Sequence, residues 1–402
     1  MLTFPETIKL FDSDAYATAF SASVLSAELN EKKKSSHWEI ILDRTLFFPE
    51  EGGQTPDTGT IEGYPVIDVQ LDGNVIRHSV KAKKTEDGQP PFAPGQIVSG
   101  QIDFTHRFSN MQNHSGEHIL SGLVHSTFGF DNVGFHMGEE CMIIDFSGEL
   151  SWEQLTELET QANAVIRQNL PLHVWFPDAA ELKALDYRSK LELTENVRIV
   201  EIPGVDRCAC CAPHVKSTGE VGVLKLLDSQ RHRGGQRVSV VCGMDALEDY
   251  RARQESVTDI SRALSAKRGE VAQAVRRLLL EQQGMKEKND ALSLALVACM
   301  AQAEPAADGN ILVFSEILGE IAQRELVNLL MEKAGGFAAV FCGGDREGWR
   351  YIIGSRHVDL RAGTRKINAA IEGRGGGTAQ MIQGSARASR AEIEDKLKVL
   401  CV

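Results

Sequence analysis

No stretch of this chain is apolar for long enough to cross a bilayer. The longest such run, around Leu292 to Ala301, falls well short of the ~20 residues a spanning helix needs. Met1 to Lys9 lacks the basic flank and apolar core of a secretory signal, so the expectation is a cytoplasmic protein with no membrane partner. A disulfide framework is missing too. Of the eight cysteines, Cys141, Cys242, Cys299, Cys342 and Cys401 are scattered, whereas Cys208, Cys210 and Cys211 crowd together beside a histidine, a pattern of metal binding or catalysis rather than of a disulfide scaffold. Positive charge is in deficit: the net charge of −13 argues against a general nucleic-acid coat protein. Local basic runs still suffice to contact phosphates; the candidates are Lys32 to Lys34, Lys81 to Lys84, and Arg231 to Arg237 with Lys225. There is no internal repeat.

At 402 residues the chain has room for two or three domains, and its pattern divides into four stretches. Residues 1–100 read as β-rich and barrel-like. Trp38 to Leu42 is a strand, Gly59 to Leu71 alternates, and Val75 to Val80 pairs with it across Asp72-Gly73-Asn74. Residues 101–245 are mixed. Asn110 to Thr127 has helical periodicity and Gly129 is its stop. Trp152 to Asn169 is a second helix, with Ser151 and Gln154 as a capping box. Val197 to Ile202 and Val238 to Cys242 are strands. Residues 246–309 have no proline until Pro305 and favour one or two long helices; an antiparallel pair would serve as a spacer or dimer stalk. Residues 310–402 alternate strands with helices and carry the glycine run Gly373 to Gly377. The fold class expected is α/β in the α+β sense.

His114 and His118 stand four apart in the first helical stretch, which places both imidazoles on one face, about 5–6 Å apart at Cβ. Cys210 and His214 repeat that spacing after a strand and a Pro203-Gly204 turn. Together the pairs supply four ligands of the types zinc prefers. Three readings stay open: a catalytic zinc, a closed structural zinc, and a chance histidine pair beside a buried cysteine cluster. His114-Ser115-Gly116-Glu117-His118 also fits the inverted zinc-peptidase motif, in which Glu117 is the general base. That motif needs a further carboxylate ligand, whose place the Cys210 and His214 pair takes. Otherwise Glu117 reads as an exposed helix glutamate.

Taken in order, these residues resemble the editing half of alanyl-tRNA synthetase and, more closely, the long form of the freestanding alanyl-tRNA editing proteins. The resemblance rests on Leu42 to Gln54 with Asp57 and Gly59, on Asn113 to Leu120, and on Val197 to Val215 with Thr218-Gly219-Glu220 and Arg233-Gly234-Gly235. It extends to Gly373 to Gly377 with Gln383-Gly384, similar to the glycine-rich domain shared with DHH phosphoesterases. Two departures stand out: the family often has Thr where Ser115 and Pro213 stand, and glycines where Cys211 and Ala212 stand. Cys208 and Cys211 leave the cysteine register open; Cys210 keeps the spacing to His214.

The resemblance implies a standalone, ATP-independent hydrolase that deacylates tRNA(Ala) mischarged with serine or glycine, with Zn2+ held by His114, His118, Cys210 and His214. A pocket built for alanine rejects an added hydroxyl by only about 100-fold. A second site that hydrogen-bonds the hydroxyl selects serine, because alanine would leave its polar groups unpaired. Thr45 is the candidate hydroxyl reader with Gln54 beside it, and the turn at Gly53 lets backbone approach substrate. If the family's hydroxyl at the position of Pro213 assists the chemistry, this chain either lacks it or has Ser115 in its place. Asp68, His78, Arg107 and Arg233 are placed in the cleft, although Asp68 and His78 equally fit as cross-strand neighbours. Arg233 and the backbone of Gly375, Gly376 and Gly377 are the tRNA-phosphate candidates. The C-terminal domain and stalk make a homodimer. The competing readings are a tRNA-binding module with a structural zinc and an inverted-motif zinc peptidase.

Overall fold

The computed structural model describes residues 4–32, 35–81, 91–138, 140–189 and 196–401. Two compact units result, Met1–Ser256 and Val257–Val402. Most of Lys32 to Lys34 and of Lys81 to Lys84 lies outside the described residues.

Unit one begins with six strands: β1 (Ala19–Lys32), β2 (Ser35–Leu42), β3 (Gly59–Ile61), β4 (Tyr64–Asp72), β5 (Val75–Val80) and β6 (Ile97–Ile102). Each pairs with two neighbours in the order β1-β2-β5-β4-β3-β6, so the sheet closes into a barrel. Alternation puts Val24, Ile40, Leu42, Val69, Ile76 and Val98 inside, with Phe47, Phe48 and Phe92 filling the centre. The expected hairpin is present, with Asp72 opposite Val75 and Gly73 at φ 62°. The alternating stretch Gly59 to Leu71 is broken at Glu62-Gly63, both at positive φ, so it makes two strands.

Helix α1 (Phe104–Phe128) follows. The Asp103 side chain caps it by accepting from the N–H groups of Thr105 and His106, and Gly129 ends it in the left-handed region. Strands β7 (Asn132–Met137) and β8 (Met142–Phe146) come next. Helix α2 (Trp152–Gln168) has the capping box of Ser151 and Gln154. Next come β9 (His173–Trp175), β10 (Ile199–Ile202), β11 (Asp206–Ala209), β12 (Leu224–His232) and β13 (Gly235–Cys242). Strands β12, β13, β8 and β7 form one antiparallel sheet, and β9, β10 and β11 a second. Ile119, Leu120 and Val124 of α1 and Leu155, Leu158 and Ala162 of α2 share a core with Ile144, Val238 and Val240 of the larger sheet.

The unit boundary falls within α3 (Gly243–Ala263), which is followed by α4 (Val271–Ala303). Two long helices are thus present, as composition indicated. On α4, Leu278, Leu279, Leu280, Met285 and Leu292 are exposed. Unit two then adds β14 (Ile311–Ser315), α5 (Glu320–Leu330), β15 (Ala338–Gly344), β16 (Gly348–Gly354), α6 (Leu360–Ala370), β17 (Arg374–Gly377), β18 (Met381–Ala386) and α7 (Arg390–Lys398). Its sheet runs β14-β15-β16-β18-β17, parallel only at β14-β15. One apolar cluster lies with α4 and α5, another with α6 and α7. The glycine run is neither a loop nor a nest of N–H groups; it is the exposed edge strand β17. No helix among the described residues is long and apolar enough to cross a membrane.

Candidate metal centre

Helix α1 is unusual in what it buries. Asn110, Gln112, Asn113, His114, Ser115, Glu117, His118 and Ser121 are all inside, and buried polar groups must find partners. Following those partners builds the site. Gly122 allows the first close approach: a Cβ there would fall 2.5 Å from the Val205 carbonyl oxygen and 2.7 Å from the Asp206 Cβ. With no side chain in the way, α1 settles on β11, and His118 Nδ1 donates to Asp206 Oδ2 at 2.9 Å. Gly53 makes a second contact of this kind. It sits at φ 84° in the tight turn Glu51 to Gln54, where any Cβ would fall 2.2 Å from the Phe135 carbonyl oxygen. This locks the turn onto β7 and delivers Gln54, whose Oε1 accepts from His114 Nδ1 at 2.8 Å. The third imidazole, His214, has its Nδ1 3.0 Å from Ser115 Oγ, which also accepts from the Val215 N–H.

Every Nδ1 therefore has an oxygen acceptor, which fixes the tautomer and turns the Nε2 lone pairs inward. Cys210 Sγ lies 3.5 Å from His114 Nε2 and 3.3 Å from His214 Nε2. The four ligand atoms of His114, His118, Cys210 and His214 all lie within 4.8 Å of one another. Burial pushes the Cys210 thiol up, yet the imidazoles of His114 and His214 outweigh it and hold the thiol well below its ordinary range. Burial pushes His214 down to about 3. Burial also pushes His118 down, but Asp206, Cys210 and Glu117 outweigh it and hold its pKa well above the ordinary histidine range. A metal takes neutral imidazoles and a thiolate, so binding would displace that proton, and three nitrogens with one sulfur suit a tetrahedral ion. The residues fit a metal.

His114, His118 and Cys210 of the centre line a cavity of about 1080 Å³. Glu117 lines it, which corrects the expectation of an exposed helix glutamate: the residue is buried. Its Oε1 accepts from Ser121 and Asn132, and its Oε2 stands 3.8 Å from His118 Nε2. Gly52, rather than Gly53, borders the cavity, facing Cys211. Thr45 is brought near His78 instead of the cavity wall. Its hydroxyl is 2.9 Å from His78 Nε2 and accepts from the Phe47 N–H. His78 Nδ1 in turn faces the Ile40 carbonyl, and complete burial drives its pKa down to about 4. Asp68 pairs across the barrel with Ser79, next to the Val69 and His78 pair, as cross-strand neighbours do. Arg107 is a further correction. It is fully buried and bound to Asp57 and to the carbonyls of Ala15 and Leu46, tying the barrel to α1. The inverted-peptidase reading lacks its carboxylate ligand, since Cys210 and His214 complete the set.

Of the hairpin cations, Arg231, Arg237 and Lys225 pair with Glu149, Asp145 and Glu159. Arg233 is exposed at the β12–β13 turn. Gly375, Gly376 and Gly377 lie on β17 in unit two. Sequence reasoning missed Asp206 and Arg188, whose guanidinium grips Asp206 at 2.7 and 2.9 Å. The available signal was strand periodicity: Asp206, Cys208 and Cys210 alternate and so share a face.

Comparison with known proteins agrees with this construction. Residues 197–239 match the family model for the threonyl and alanyl tRNA synthetase second additional domain, and residues 6–106 match that for class II (A) tRNA synthetases. The alanine–tRNA ligase of Ignicoccus hospitalis is 28% identical over 387 residues, covering 93% of this chain and 40% of the ligase. That of Methanopyrus kandleri is 28% identical over 98% of this chain and 44% of the ligase; that of Halobacterium salinarum is 28% identical over 87% and 38%. The chain thus spans about two fifths of the length of these relatives. From barrel to glycine-edged sheet, the chain is similar to alanine–tRNA ligases, and residues 197–239 match a domain that the threonyl and alanyl tRNA synthetases share.

Proposed function

We propose that the protein is a trans-acting, zinc-dependent hydrolase that removes serine, and glycine as a second substrate, from mischarged tRNA(Ala). The observation that carries this reading is the convergence of His114, His118, Cys210 and His214, three of which, His114, His118 and Cys210, line a cavity, in a chain similar to alanine–tRNA ligases. The bond to break is an ester between the amino acid and the terminal ribose. Zinc held by His114, His118, Cys210 and His214 would supply positive charge to polarise the ester carbonyl. Water activation is the role of Glu117, which lines the same cavity. Held by Ser121 and Asn132, its carboxylate takes a proton from water as the oxygen adds to the ester carbon, then returns it to the departing ribose oxygen. The products are free serine and tRNA with its terminal hydroxyl restored. Gln54, which orients His114, also has a buried amide Nε2 with no acceptor among the described residues. Gln54 is our assignment for reading the serine hydroxyl.

In this reading Arg233 and the β17 backbone at Gly375, Gly376 and Gly377 contact tRNA, and the exposed leucines of α4 support a homodimer in the cytoplasm. Residues 1–100, 101–245, 246–309 and 310–402 then act as barrel, editing domain, stalk and tRNA-binding domain. The closed four-ligand set favours one competing reading, a tRNA-binding module whose zinc is structural. Release of labelled serine from seryl-tRNA(Ala), with alanyl-tRNA(Ala) as control, separates the two. Serine-selective release that collapses in Cys210→Ala and in Glu117→Gln is expected. Absence of release by folded, zinc-loaded wild type selects the binding module.

A further inference from the structure

The cavity is larger than an amino acid needs. At about 1080 Å³ it stands at the top of the range for pockets that enclose a whole organic ligand. One wall is the small sheet β9-β10-β11, where Trp175, Ile199 and Ala209 form a row across the strands. The pattern continues by one residue, since the Cys210 N–H donates to the Arg198 carbonyl at 3.0 Å. Phe176 directly follows β9, as Arg198 directly precedes β10, and Phe176, Arg198 and Cys210 all line the cavity.

Phe176 is 53% exposed although it borders a cavity, and Tyr187 lies on the same lining. Arg198 is 8% exposed. One of its terminal nitrogens donates to the carbonyls of Cys210 and Ala212. Its Nε has no hydrogen-bond acceptor among the described residues, Asp12 Oδ1 standing 3.6 Å away. An uncovered aromatic face and a buried guanidinium N–H in want of an acceptor, on the lining that also carries Cys210, match a base and a ribose oxygen beside the ester carbonyl. Single-stranded RNA ends are bound by stacking bases on aromatic side chains.

We infer that this wall is the subsite for the 3′-terminal nucleoside of the RNA: Phe176 stacks on the base, and Arg198 Nε–H donates to an oxygen of the ribose or its phosphate. The inference rests on the proposed aminoacyl-tRNA substrate and adds the residues that seat its end. It is tested with the unacylated trinucleotide CCA titrated into the zinc-loaded full chain by calorimetry. Phe176→Ala should weaken binding about tenfold, within the range for loss of one stacked base, while Phe176→Tyr restores it. A CCA whose last base is replaced by an abasic ribose should bind wild type and Phe176→Ala equally. Trp152→Ala, on exposed α2, is the control for a general effect of removing a surface aromatic. No binding of CCA to wild type, or equal affinity in Phe176→Ala and Trp152→Ala, overturns the subsite. Serine release by wild type without any Phe176 dependence of CCA binding leaves the hydrolase reading standing alone; Phe176-dependent binding without serine release does the reverse.

Discussion

At the scale of single residues, the centre is a set of imidazoles whose outward nitrogens are all occupied, each by a different oxygen: an amide, a carboxylate and a hydroxyl. The ligands themselves were legible because i, i+4 spacing is a local geometric fact. Their orienting partners, Gln54, Asp206 and Ser115, were not legible in that role, because they stand 60, 88 and 99 residues from the imidazoles they hold. His78 shows how the same histidine chemistry serves the barrel instead. It is buried neutral between Thr45 and Ile40, with its pKa near 4 against 6.5 when unfolded. Between those values the unfolded chain binds a proton that the folded chain does not. Stability is therefore fully retained above about pH 6.5 and falls as pH drops toward 4. Urea unfolding at pH 7 and pH 4.5 should show a smaller pH-dependent loss in His78→Gln than in wild type, by roughly 3 kcal/mol for a shift of this size. Equal losses would mean that His78 is not held neutral by the barrel.

At the scale of elements, the sequence placed both ends of α2 and the stop of α1 correctly, because Ser151, Gln154 and Gly129 act on backbone groups within a turn of themselves. The reason for the glycines of β17 lies across the sheet. A Cβ at Gly375 would fall 2.2 Å from the Tyr351 hydroxyl and 2.3 Å from the Gln383 carbonyl oxygen. The Tyr351 hydroxyl donates to Asn368, which returns a hydrogen bond to the Gly375 carbonyl. At Gly376 nothing stands within 4 Å. Gly375→Ala should therefore destabilise unit two by about 1–3 kcal/mol, as overpacking does, while Gly376→Ala stays within about 0.5 kcal/mol of wild type. Thermal unfolding of the two variants checks this pair, and equal effects would mean that β17 is not packed against Tyr351 as described.

At the scale of the whole molecule, all four ligands belong to Met1–Ser256, so metal should stabilise one unit and leave the other alone. Calorimetry should resolve two transitions. A chelator should lower one of them by roughly 10 °C, the effect of removing a ligand present at about 1,000 times its Kd, and should not move the other. A chelator that shifts neither would exclude a tightly bound metal. Both transitions moving together would mean that the units unfold as one.

The sequence by itself determined whatever depends on near neighbours: the paired ligands, the caps and the β-rich and helical stretches. Their physical cause, backbone periodicity and local hydrogen bonding, acts within a few residues. Only the tertiary structure decided what depends on distant strands meeting. It buried Glu117 beside the centre and turned Arg107 into a tie to Asp57. It also brought Phe176, Arg198 and Cys210 to the lining of one cavity. Side chains face a common space only after the sheets have closed, and no spacing along the chain records which faces will meet.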